Sequence, residues 1–69
     1  MFRSGGQVMK LIFITFVHEP ELPLAYYVFD LDLFWYRLKN HAFVSVYKSE
    51  DIKSHVVINT SQIFKVSEA

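Results

Sequence analysis

The hydrophobic positions of this chain fall into short runs whose period changes along its length, with polar clusters between them. Residues 8 to 17 (VMKLIFITFV) are almost continuously apolar and rich in β-branched and aromatic side chains. An unbroken run of that kind suits a strand covered on both faces. Pro20 and Pro23 follow and mark its end. Residues 42 to 48 (AFVSVYK), 55 to 59 (HVVIN) and 62 to 66 (QIFKV) repeat the strand signature, separated by the polar clusters SEDIKS and NTS. Strands spaced this closely pair as an antiparallel sheet or close into a small barrel.

Residues 24 to 39 carry two periods at once. Read as a strand, Phe29, Leu31, Leu33 and Trp35 share one face and Asp30 and Asp32 the other. Read as a helix, Leu24, Tyr27, Val28, Leu31, Phe34, Trp35 and Leu38 form a continuous stripe, from which Tyr26, Phe29 and Leu33 spill. The helix has plausible ends: Pro23 at its first position, Arg37 and Lys39 in its last turn, and Asn40 as a cap. Its residues are mostly weak helix formers, so the strand is the preferred reading and a helix at residues 23 to 39 the alternative.

No glycine occurs between Gln7 and Ala69. Tight turns that need a positive φ must therefore use Asn40 or Asn59, or give way to longer connections such as HEPELP and KSEDIKS. The same absence removes Gly-rich phosphate loops, dinucleotide fingerprints and nucleophile elbows from consideration, since each depends on a backbone approach that glycine permits.

Half of the aromatic side chains lie between residues 26 and 36: Tyr26, Tyr27, Phe29, Phe34, Trp35 and Tyr36. A 69-residue chain is one small domain that buries only about 60% of its unfolded surface, so hiding them all is difficult. A core of this size rarely leaves a net stability above about 3 to 5 kcal/mol. There is no cysteine, which excludes a disulfide framework and a thiolate zinc site. Self-association is the remaining common way for such a chain to remove apolar surface from water.

The charges cancel, seven basic against seven acidic, so no global field draws the chain to nucleic acid or an anionic membrane. They are segregated nonetheless: Glu19, Glu21, Asp30 and Asp32 precede Arg37, Lys39 and Lys48. Arg37, Lys39, His41 and Lys48 also lie near Trp35, Tyr36 and Tyr47, a mixture that stacks single-stranded bases and holds phosphates. His18 with Glu19 and Glu21, and the lone His41 and His55, are the candidates for a metal site or a general base. Their spacing supports neither, and no catalytic triad is signalled, so catalytic, metal and cofactor residues are expected to be absent. The stretch MKLIFITFV from Met9 begins like a secretory leader but lacks a cleavage site, and Asp30 and Asp32 interrupt the longest candidate membrane span. The expectation is a soluble, cytoplasmic protein without a membrane partner.

The run VVINTSQIFKV resembles the closing part of SH3-like barrels, where two short strands are joined by a tight turn; Val57, Asn59, Ile63 and Val66 carry the likeness. It is a resemblance of fold alone and implies no functional residue. The expected architecture is therefore mainly β: a flexible tail at residues 1 to 7, then a single domain at residues 8 to 69. That domain is a small antiparallel sheet or SH3-like barrel of four to five strands, or else α+β with the helix above. The expected function is non-enzymatic: a small regulator, adaptor or inhibitor, also a homo-oligomer, that binds a protein partner stoichiometrically. Its partner-binding residues would be Tyr26, Tyr27, Trp35, Tyr36, Arg37 and Lys39, since Tyr, Trp and Arg are enriched at binding hot spots. The alternative is a single-stranded nucleic-acid-binding β-barrel.

Overall fold

The computed structural model describes residues 8–69, and the expected tail at residues 1–7 lies outside them. The apolar run at residues 8 to 17 forms strand β1 (Lys10–Phe16). It is a central strand, paired antiparallel with β2 (Glu19–Val28) on one side and β5 (Ile63–Glu68) on the other. Alternation sends Ile12 and Ile14 to the core face, where both are 0% exposed. On the other face Thr15 is buried but Leu11 and Phe13 are only half-buried, so the second face of β1 is less covered than its composition predicts.

The remaining elements are helix α1 (Leu31–Asn40) and strands β3 (Phe43–Tyr47) and β4 (His55–Asn59). The five strands form one antiparallel sheet in the order β4-β3-β2-β1-β5, with the helix between β2 and β3 in sequence. Its core is Ile12, Ile14, Val28, Phe34, Val44, Val46 and Ile58. The three later strands lie within two residues of their expected positions.

Residues 24 to 39 are neither all strand nor all helix, and one carboxylate divides them. Asp30 is extended (φ −122°, ψ 105°), and its Oδ1 accepts the Leu33 N–H at 3.0 Å, capping the helix. The strand reading thus holds through Val28, and the alternation of Asp30 and Asp32 beyond it is the acidic start of a helix. The helical stripe survives only as Leu31, Phe34, Trp35 and Leu38, all packed in or against the core. The last turn carries Arg37 and Lys39, where cations complement the helix dipole. Asn40 Nδ2 donates to the Tyr36 carbonyl at 2.8 Å, and the chain leaves through an extended His41 whose N–H donates to the Arg37 carbonyl.

The two prolines correct the sequence reading. HEPELP is not a loop: the turn after β1 is Val17 and His18 alone, and Pro20 and Pro23 lie within β2. The β1–β2 register passes from Ile14↔Leu24 to Phe16↔Glu19, so residues 20–23 bulge opposite Thr15 alone. A residue without an N–H is tolerated where the ladder is already broken. The short turn is held from outside the hairpin by a 2.9 Å bond from the Val17 N–H to the Gln62 carbonyl.

KSEDIKS does form the β3–β4 connection, ending in a 3-10 turn (Ile52–Ser54) capped by Asp51, whose Oδ1 accepts the Lys53 N–H at 2.9 Å. Asn59 does serve a turn, but through its side chain and not through the positive φ expected of it: at φ −75° its Oδ1 accepts the Ser61 N–H at 2.9 Å and starts a 3-10 turn (Thr60–Gln62) into β5. That turn joins the two edge strands of the sheet. On a flat sheet, edges four inter-strand spacings apart would be roughly 19 Å from one another. The four steps from Asn59 to Ile63 span at most about 14 Å. The sheet must therefore be strongly curved, although no pairing joins β4 to β5 among the described residues.

Two stability predictions follow from this architecture. Replacing Asp30 by Ala removes the helix cap and lowers stability by about 1 kcal/mol in urea unfolding at fixed protein concentration, whereas Asp30→Asn retains most of it. Truncating the fully buried Ile14 to Ala costs about 2 to 5 kcal/mol, comparable to the whole stability of a domain this size. Circular dichroism should find Ile14→Ala largely unfolded at 37 °C.

Candidate functional site

Where the chain leaves β2 for the helix, the sheet opens. Within the β3–β4 ladder, Thr60 N–H donates to the Ala42 carbonyl at 2.8 Å and Lys48 N–H to the Ser54 carbonyl at 3.1 Å. Antiparallel ladders alternate, so the bonds to β4 also use Val44 and Val46, while Phe43, Ser45 and Tyr47 direct their backbone groups toward β2. On that side the ladder among the described residues contains the single pair Tyr27↔Tyr47. Beyond it β2 has ended, so Ser45 and Phe43 are left without a strand partner.

A cleft of about 210 Å³ occupies this opening. Val44, Ser45 and Tyr47 of β3 line one side, Leu33, Phe34 and Arg37 of α1 the other, and Val28, Phe29 and Asp30 close the end. Phe29 packs edge-on against Tyr47 with ring centroids 5.2 Å apart, which fixes that corner. Leu33 and Arg37 are one helical turn apart, on the flank of α1 beside the core stripe. Leu33 is 41% exposed. Asp30 is engaged by the Leu33 N–H, and among the described residues Arg37 has no acidic partner within salt-bridge distance. The site is thus a short apolar slot with an unpaired strand edge along one wall and a cation on the other.

The six residues expected to bind a partner do not form one surface. Tyr26 packs against the core, edge-on to Phe16 at 6.3 Å, whereas its neighbour Tyr27 points to the opposite face of β2. Trp35 packs against the core beside Phe34. Tyr36, Arg37 and Lys39 are exposed. Arg37 and Lys39 leave the helix roughly 160° apart at 100° per residue, so they cannot hold one phosphate-bearing strand together. Of the six, only Arg37 lines the cleft.

Leu33 and Ser45 carry no binding expectation from the sequence, and Tyr47 enters it only as a base-stacking aromatic of the nucleic-acid alternative. A signal for Leu33 and Phe29 did exist: both spill off the apolar stripe of the helical reading, as residues do when they face something other than the core. Nothing local marks Ser45, whose part depends on where β2 ends. His18 and Glu19 form one exposed pair at 3.7 Å, and no cluster of three or more His, Cys, Asp or Glu able to hold a metal occurs among the described residues. No described helix is long and apolar enough to cross a membrane. Comparison of the chain with protein-family models, curated proteins and solved structures found no match.

Proposed function

We propose that the protein is a non-enzymatic binding module that acts stoichiometrically on a protein partner, taking an extended segment of that partner into the slot between α1 and β3. The observation that carries this reading is the unpaired edge of β3 at Ser45 and Phe43, open to a cleft with an apolar wall. An incoming strand on the line that β2 vacates would pair its backbone with Ser45 and Phe43 and set alternate side chains against Leu33 and Phe29. Arg37, without an acidic partner among the described residues, favours an acidic side chain or a terminal carboxylate in that segment.

The test is selection of peptides from a display library on the folded protein, followed by amide chemical-shift titration of the best binder. The signals of Ser45, Phe43 and Leu33 should move, and Leu33→Asp should weaken binding at least about tenfold while preserving the amide spectrum, since its side chain is not in the core. Arg37→Glu should do the same for acidic peptides and shift the selection toward basic ones. Binders that leave these amides unmoved, or equal affinity for Leu33→Asp, would refute the slot as the site.

A further inference from the structure

The outer edge of β4 is a second unpaired strand, and it differs from the slot in being bare. Because Val56 and Ile58 are spent on β3, the backbone groups of His55, Val57 and Asn59 point away from the sheet. Sheets normally blunt such an edge with proline, lysine, a bulge or a covering element. None of these occurs in His55–Asn59, and β4 ends the strand order among the described residues. Its outer face also carries two exposed apolar side chains among polar ones: Val57 and Phe43, diagonal neighbours in the β3–β4 ladder, are each 58% exposed.

The other edge contrasts with it. Ala69 N–H donates to the Leu11 carbonyl at 3.3 Å, so the bonds from β5 to β1 also use Ser67 and Lys65, leaving Val66 and Glu68 outward. β5 carries Lys65 and Glu68, and its register shifts where Phe64 bulges between Ile63 and Lys65. Those are the features that protect an edge.

We propose that β4 is the dimer interface of this protein, pairing antiparallel with β4 of a second copy about a twofold axis through Val57. The complementarity of the edge to itself argues for that occupant. With Val57 opposite its own copy, His55 of each protomer faces Asn59 of the other. All three outward residues then fall in hydrogen-bonded positions, giving about six bonds at two per pair. Every outward donor of β4 meets an acceptor, with no residue left over. The two valines meet on the outer face, beside the exposed Phe43 of each protomer, and the two sheets become one. This interface uses the outward edge of β4, whereas the slot uses the edge of β3 that faces β2.

Sedimentation equilibrium over a wide concentration range reads the outcome as mass. The expected species is twice the 8.1 kDa protomer. Val57→Lys places two like charges opposite one another at the axis and should raise the dimer dissociation constant at least about tenfold. Its side chain lies on the exposed face, so the amide spectrum should still be that of a folded protein. Val57→Cys provides a second readout in a chain that has no other cysteine. In a hydrogen-bonded antiparallel pair the two Cα atoms are about 5.5 Å apart, within disulfide range, so mild oxidation should give a covalent dimer. Phe64→Cys on the opposite edge should stay monomeric under the same oxidation. A monomer at every concentration would overturn the proposal and leave the β4 edge to a strand from another protein. Assemblies that survive Val57→Lys and cross-link through Phe64→Cys would overturn it too, in favour of head-to-tail pairing through β5.

Discussion

Ten helical residues have to cover the core face of five strands. A helix of that length is about 15 Å long and about 10 Å across, whereas five strands span roughly 19 Å before the sheet curls. The helix therefore lies against the β3 side, where Phe34 joins Val44 and Val46, and the sheet bends to bring Val66 and Ile63 of β5 to the same core. Burial is almost confined to one face. On the other, Thr15 is hidden, Leu11 and Phe13 are only half-buried, and Phe43 and Val57 stand in solvent. A domain of this size has no second layer to place over them.

The position of the helix depends in turn on the turn at Phe29 and Asp30. If β2 had continued, its next residues would have paired with Ser45 and Phe43 and the β2–β3 ladder would have been complete. Instead the Asp30 carboxylate captures the Leu33 N–H and the backbone turns into a helix. One local hydrogen bond thus ends a strand, begins a helix and leaves an open slot between them. The slot and the bare edge of β4 arise from the same shortage of partners, at two places in one sheet. The first is walled by a helix and suits a guest segment, while the second is open on its outer face and suits another sheet.

The strands β1, β3, β4 and β5 were legible because their signals are local: unbroken or alternating apolar runs ended by polar clusters. The stretch from Leu24 to Asn40 was harder because both periods are truly present, one on each side of Asp30. A single-period reading of the whole stretch had to be wrong for half of it. The prolines of β2 misled for a related reason, since a proline signals a missing donor, and whether that ends a strand depends on whether the partner needs one there. Opposite Thr15, where the ladder is already broken, no donor is called for.

Of the candidate binding residues, Arg37 was accessible to sequence reasoning through its type and its place in the last helical turn. Ser45 was not, because a serine between two core valines looks like the polar side of any strand. By itself, then, the sequence determined strands β1, β3, β4 and β5, the lack of cysteine and of glycine-dependent loops, the neutral charge and the excess of aromatic side chains. It also contained the Asp30 cap and the Asn59 turn. These are properties of neighbouring residues, and short-range sterics and hydrogen bonding decide them. Only the tertiary structure decided which strands became edges, which aromatics shared a face and where the β2–β3 ladder failed. Those outcomes join residues far apart in the chain, such as Tyr27 with Tyr47 and Val17 with Gln62, through pairings that no local pattern encodes.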